Sequence, residues 1–236
     1  MPAAGWRKIQ LNVNILYEDE QLFVVVKPPG MPSQAERSTA LDMVSYLKNF
    51  LARKYGKANP YVAVVHRLDR PVGGVRVYAK TPEAAAALSA QVARRVVVKT
   101  YLAVVCGTLP KQSGHLEDFL KKDGRTNLSV VTENSQDSKK AVLDYEVIDV
   151  KEYAGARYSL VKILLGTGRH HQIRVQMAHA GAAVAGDTKY GSNTGGFRQM
   201  GLFSQSLEFE HPVNHEQMHF SAAPSAEPFK IFEDEI

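Results

Sequence analysis

The run Leu22-Phe23-Val24-Val25-Val26 constrains what this chain can fold into more than any other feature. No polar residue interrupts it and Pro28-Pro29-Gly30 stops it, so it reads as a fully buried strand. Such a strand needs a substantial core around it. The chain has 236 residues, 44% of them apolar and 22% charged, which suffices for that core and differs from the composition of a disordered segment. No uncharged apolar stretch reaches the roughly 18 residues of a membrane span. The opening MPAAGWRKIQLNVN has no apolar run behind its basic residues, so no secretory signal is expected. The single cysteine, Cys106, excludes an internal disulfide and a cysteine-rich zinc module, and a reducing, cytoplasmic location is expected.

Apolar alternation and β-branched runs predict strands over 12–17, 21–27, 61–65, 75–80, 96–105, 142–150, 157–165, 202–209 and 217–221. Ala40, Met43, Val44, Leu47 and Leu51 recur at helical spacing and predict a helix over 39–54, with Ser38 or Thr39 as cap. Thr81-Pro82-Glu83 combines a capping hydroxyl, a first-position proline and an acid, and predicts a second helix ending near Arg94. A third is expected over 169–179. The polar stretch 108–140 reads as exposed hairpin and loop. Strands outnumber helices and short connections join most of them, which implies a mixed, mostly antiparallel sheet with flanking helices. The expected class is a single α+β domain, with no internal repeat or linker to divide it.

Charge gives a weak direction. The chain has 29 basic and 24 acidic side chains, or +5. Its last ten residues hold Lys230 against Glu227, Glu233, Asp234 and Glu235, so residues 1–226 carry 28 basic and 20 acidic groups, or +8. A cationic body leans toward nucleic acid.

Chemistry-bearing residues concentrate in three places. In His66-Arg67-Leu68-Asp69-Arg70-Pro71-Val72-Gly73-Gly74, one carboxylate stands between two arginines; the plain alternative is a turn-capping aspartate with solvated arginines. In Gly166-Thr167-Gly168-Arg169-His170-His171-Gln172-Ile173-Arg174, a helix would gather His170, His171 and Arg174 on one face, its start offering backbone donors to a phosphate. A solvated amphipathic face is the plain alternative there. Adjacent histidines on a helix project about 100° apart, and no acid or cysteine stands at chelating spacing, so no metal site is expected. The third place is Lys99-Thr100-Tyr101-Leu102-Ala103-Val104-Val105, where a strand tyrosine is ordinarily a core residue with a hydrogen-bonded hydroxyl. Gly186-Asp187-Thr188-Lys189-Tyr190-Gly191 reads as a turn. The chain has no Walker loop, and Gly166-Thr167-Gly168 lacks the third glycine of a dinucleotide fingerprint, so no nucleotide cofactor is expected.

In this order the clusters resemble the RluA-type pseudouridine synthase family. The matching pieces are LYEDEQLFVVVKPPGM over 16–31, HRLDRPVGGVRVYAKT over 66–81, KTYLAVVCG over 99–107 and LGTGRHHQIRVQMAHAGAAVAGDTKYG over 165–191. The resemblance spans about 16–212. It implies a sheet domain with a central cleft that isomerises uridine to pseudouridine in RNA. It places the catalytic aspartate at Asp69, the aromatic that stacks on the target base at Tyr101, and the basic partner of the aspartate at Arg174. Arg67 would help hold the opened RNA; His66, Arg70, Arg169, His170, His171 and Gln172 are the other expected RNA contacts. The chain departs from the family pattern at Val72-Gly73-Gly74, where Ser-Gly or Thr-Ser-Gly is common, at His170 in place of threonine, and at Gln176 in place of histidine. These departures are expected to bear on which RNA is bound rather than on the chemistry. About fifteen residues precede the first matching strand, so the small S4 domain of some relatives is not expected. The expected organisation is an extension over 1–15, a catalytic domain over 16–226 and an acidic tail over 227–236.

The implied reaction breaks the bond from uracil N1 to ribose and rejoins the base through C5. It is an isomerisation, so no redox carrier or hydrolytic water enters. It requires an ionised carboxylate at the ribose, as a nucleophile or as a base for a sugar proton. Arg174 in contact would favour the charged form. Tyr101 would stack on the base, worth about 1–3 kcal/mol, and its hydroxyl would assist loss of the C5 proton. A stacked uridine must flip out, with Arg67 bracing the gap. A glycosidase would need paired carboxylates, and no second acid follows Asp69 in these clusters until Asp187. The other alternative is a non-catalytic RNA-binding protein that kept the fold; the presence of Asp69, Tyr101 and Arg174 together favours the enzyme. The expected partner is ribosomal or transfer RNA, bound by a monomer.

Overall fold

The computed structural model describes residues 13–35, 41–191 and 196–236. Its strands are β1 (Asn14–Glu18), β2 (Leu22–Lys27), β3 (Ala63–Val64), β4 (Gly73–Ala79), β5 (Val98–Cys106), β6 (Ser113–Asp123), β7 (Leu128–Thr132), β8 (Lys139–Tyr153), β9 (Ala156–Leu165), β10 (Leu202–Glu210) and β11 (Gln217–Ser221). The helices are α1 (Met43–Tyr55), α2 (Pro82–Ala93) and α3 (Gln172–His179), followed by a 3₁₀ helix over Glu227–Glu235. The strands form one sheet in the order β1-β2-β4-β10-β5-β9-β8-β6-β7, with β11 on β10 and β3 on β4. Among the described pairings only β10 with β4 is parallel, so the sheet is mixed and mostly antiparallel, and the class is α+β as expected.

The apolar run of β2 is continuous because both faces are covered. Phe23 and Val25 pack with Met43, Leu47 and Leu51 of α1, while Leu22 and Val24 pack with Ala84 and Leu88 of α2. β5 repeats the arrangement. Tyr101, Ala103 and Val105 face Ile173 and Met177 of α3, and Leu102 and Val104 face Phe229 and Phe232 of the 3₁₀ helix. Each large side chain so buried contributes about 1.5–3 kcal/mol. Residues 227–236, expected as an acidic tail, therefore supply two core phenylalanines, while Glu235 pairs with Lys151 at 2.8 Å.

One local expectation changes. α1 begins at Met43, where Asp42 caps it by accepting from the Ser45 amide at 3.1 Å. Ser38 and Thr39, the expected caps, lie outside the described residues. The hairpin expected within 108–140 is β6 with β7, and on its other side β6 pairs with β8 from Ser113↔Glu146 to Leu120↔Lys139. Its alternation is faint because little beyond Leu120 is buried along it.

β10 joins the two halves of the sheet, lying between β4 and β5. It can approach β4 only because Gly74 has no side chain. Gly74 sits at φ 127°, and a Cβ there would fall 2.3 Å from the Ser204 carbonyl oxygen. We expect Gly74→Ala to destabilise the fold by about 3 kcal/mol or more, measured by urea unfolding, since strain and a backbone clash act together.

Candidate active site

Two loops at the end of β2 and before β4 are bound into one unit. Leu68 and Val72 are buried on either side of Asp69, and the Val72 amide donates to the Asp69 carbonyl at 3.0 Å, closing a turn. Ser33 Oγ donates to the Leu68 carbonyl at 3.0 Å and accepts from its amide at 3.2 Å. The Gly30 amide donates to the Arg70 carbonyl at 2.8 Å, and Arg70 Nε returns a bond to the Gly30 carbonyl at 3.0 Å. Lys27, wholly buried, donates from Nζ to the carbonyls of Met31, Pro28 and Arg70. Asp69 thus stands on a rigid platform with its side chain 28% exposed.

From α3, Arg174 meets it. The Arg174 Nη1 donates to Asp69 Oδ2 at 3.1 Å, and its Nε and Nη2 donate to the two oxygens of Asp187 at 2.7 and 2.8 Å. Asp187 is fully buried and also accepts from the Lys189 amide at 2.9 Å. Burial opposes both charges, but the bidentate pair holds the Asp187 carboxyl below its ordinary range and the Arg174 guanidinium above its own. Asp187, read as part of a turn, is the member of the site that sequence reasoning missed. Its signal was an acid between Gly186 and Lys189 within the last family-like segment.

The segment before Arg174 differs from expectation. The helix starts at Gln172 rather than Arg169, and His171 precedes it in the left-handed conformation at φ 53°. Gln172 causes this: its side-chain oxygen accepts from Thr167 Oγ1 at 2.7 Å and from the Arg169 amide at 3.0 Å, folding 167–172 into a closed loop. His170 and His171 therefore do not splay apart; their rings stack with centroids 3.7 Å apart. The Ser129 amide donates to the Tyr190 hydroxyl at 2.7 Å, and that hydroxyl bonds His171 Nδ1 at 2.8 Å. With Tyr190 as donor, the His171 proton is assigned to Nε2, 3.7 Å from Asp69 Oδ2. Burial pushes the His171 pKa down to about 4; Asp69 opposes this, while Arg174 and His170 add to it, so the ring is neutral at pH 7.

Tyr101 is nearly buried in the cluster that holds Leu68, Val72 and Ile173, neighbours of Asp69 and Arg174. Its hydroxyl accepts from Arg76 Nη2 at 3.2 Å. Of the expected RNA contacts, Arg67 and Arg70 are exposed, while Arg169 and His170 are half-buried. His66 is a correction: both ring nitrogens are buried without a partner, and burial, then Arg76 and Lys99, push its pKa well down. His171 and Gln172 are also buried and serve the loop rather than an open surface. Two family departures lie inside as well. Val72 is a core residue, and Gln176 is buried with its Nε2 on Asp118 at 2.8 Å, so neither offers an RNA-contact surface.

Two expectations follow. Asp187→Asn leaves the Arg174 charge buried with half its compensation and should cost about 3–5 kcal/mol in urea unfolding. For His171, the folded value of about 4 lies below the ordinary 6.5. Between these the unfolded chain holds a proton that the folded chain does not, so the contribution to stability rises with pH and is lost as pH falls. The stability difference between the wild type and His171→Gln, measured from pH 7 to 4, should therefore shrink as the solution is acidified.

Residues 21–179 match the family described as RNA pseudouridylate synthase. The tRNA pseudouridine synthase C of Haemophilus influenzae is 34% identical over 227 residues, covering 89% of this chain and 92% of that protein. The ribosomal large subunit pseudouridine synthase D of Xanthomonas campestris pv. campestris is 34% identical over 230 residues, covering 90% of this chain and 66% of the other. Among solved structures, human RNA pseudouridylate synthase domain containing 1 superposes with a TM-score of 0.73 at 24% identity, over 90% of this chain and 84% of that one; this likeness is one of fold. With the match covering more than half the chain and these relatives along nearly all of it, the chain belongs to the RNA pseudouridylate synthase family.

Proposed function

We propose that this protein isomerises uridine to pseudouridine in transfer or ribosomal RNA, with Asp69 acting at the ribose. One observation carries the assignment of Asp69. Arg174 and His171 both approach Oδ2, while Oδ1 has no hydrogen-bond partner among the described residues and the side chain reaches solvent. Attack on the sugar and removal of a sugar proton both need a carboxylate oxygen that is charged and unencumbered. Arg174 holds the other oxygen from Nη1 at 3.1 Å and so leaves Oδ1 to the substrate.

Tyr101 offers its ring to the uracil, and Arg67, exposed two residues before Asp69, fills the place of the flipped nucleotide. The exposed Arg67 and Arg70 hold the neighbouring phosphates, where most of the affinity of such complexes arises. The bond from N1 to ribose breaks with Asp69 acting at the ribose, the base turns, and the bond from C5 to ribose then forms; the proton lost at C5 is balanced by one gained at N1. No external oxidant or nucleotide cofactor enters that balance. The relatives named for transfer and ribosomal RNA support both substrate classes. Asp69, Tyr101 and Arg174 all come from one chain, which supports action as a monomer, and the single cysteine supports a cytoplasmic setting. No helix among the described residues is long and apolar enough to cross a membrane.

The purified protein should convert uridine in RNA from cells lacking the gene, without added cofactor. Asp69→Asn should lower the conversion on the order of 10⁴-fold, with RNA binding in a filter assay retained. Identical pseudouridine maps from cells carrying the wild type and this variant would instead support a non-catalytic RNA-binding protein.

A further inference from the structure

Arg76 is a buried charge that the proposed reaction leaves unused. β4 is buried along its whole length, and Arg76 stands in its middle, opposite Val25, at 1% exposure. Its Nη2 donates to the Arg67 carbonyl at 3.2 Å and to the Tyr101 hydroxyl at 3.2 Å, both neutral oxygens. Its Nε and Nη1 are buried without a partner among the described residues. A guanidinium kept from water without an anion is expensive, and a valine like its neighbours Val75 and Val77 would avoid that cost.

The position of the two bonds explains the charge. Arg67 lies two residues before Asp69, in the loop that carries the carboxylate. Tyr101 lies on β5, and β10 separates that strand from β4. One nitrogen therefore ties the aspartate's loop to the aromatic strand across the middle of the sheet. The surroundings are cationic: the charge on Arg76 adds to burial in depressing both His66 and Lys99. A phenol hydroxyl prefers the plane of its ring and can point its proton to either side. A donor fixed on one side leaves the proton and remaining lone pair to the other.

We propose that Arg76 is a positioning residue for Tyr101, holding the phenol oxygen as an acceptor so that the hydroxyl's free side and the ring stay aligned with the uridine at Asp69. The inference rests on the reading that Tyr101 meets the flipped base. Arg76 itself touches no reacting atom; it acts through the Tyr101 hydroxyl, and its bond to the Arg67 carbonyl anchors the guanidinium.

The test uses full-length protein and total RNA labelled with [5-³H]uridine in cells lacking the gene, with tritium release followed in single turnover. Arg76→Leu should slow release about 100-fold, the scale of a reacting group misplaced by an ångström, while filter binding of the RNA is unchanged. Arg76→Lys, which keeps a donor, should recover much of that loss. In a Tyr101→Phe background, Arg76→Leu should cost no more than about twofold, the range within which a coupling has vanished. An equal loss in both backgrounds overturns the inference, as does a Lys variant no better than Leu. The contact is also read without turnover, from tyrosines labelled with ¹³C at Cζ. The Tyr101 line, identified by its loss in Tyr101→Phe, should move in Arg76→Leu while the other lines hold; an unmoved line overturns the inference even where the double variant is too slow to measure. A wild-type protein that releases no tritium overturns the synthase reading itself, whereas an active wild type with independent Arg76 and Tyr101 effects overturns this inference alone.

Discussion

The site depends on one guanidinium shared unequally between two carboxylates. Arg174 gives two nitrogens to Asp187 and one to Asp69. Because the guanidinium is planar and rigid, seating Nε and Nη2 on a buried carboxylate fixes the direction of Nη1 as well. Alone, Arg174 could grip Asp69 with two nitrogens and occupy both of its oxygens. Asp187 takes that bidentate position and leaves Asp69 with one bonded oxygen and one open. The same geometry explains why a lysine would be a poor replacement: a rotating ammonium would fix neither the direction nor the division.

The charges around this pair are arranged in depth. Arg174 and Asp187 cancel one another inside, so the charge that faces outward belongs to Asp69. His171 lies 3.7 Å from it but stays neutral, held by Tyr190 and stacked on His170, and so adds no second cation. Farther out, Arg67 and Arg70 are exposed, where attraction to phosphate is exerted without competing for the carboxylate. The hairpin of β6 and β7 is tied into the same system, since Ser129 bonds both Tyr190 and the His170 carbonyl.

Much of the fold was legible because burial leaves a pattern in a strand. The unbroken runs of β2 and β5 have helices on both faces, and Thr81-Pro82-Glu83 marked the start of α2 where the structure has it. The elements that were misjudged are those where a single polar contact decides. Asp42 rather than an upstream hydroxyl caps α1, and the amide of Gln172 delays α3 by three residues, which no periodicity records. In the site, Asp69 and Arg174 could be named from their motifs, and the structure brings them within 3.1 Å. Asp187 and Arg76 were not singled out, because an acid in a glycine-flanked turn and an arginine in a strand acquire their meaning only from what lies across the fold. His66 shows the reverse: its place in a charged motif suggested a surface role, but the ring points inward.

The sheet order has a consequence for how the molecule comes to exist. β10, built from residues 202–210, lies between the half that begins with β1, β2 and β4 and the half formed by β5 to β9. During synthesis the two halves can each begin to form, but the strand that joins them leaves the ribosome after almost all the others. Asp69 belongs to the first half and Arg174 follows the second, so the ion pair closes a loop of more than one hundred residues and waits for the sheet to be completed. A partly made chain can already seat Arg174 on Asp187, 13 residues on, and Asp69 joins that pair when the sheet becomes continuous.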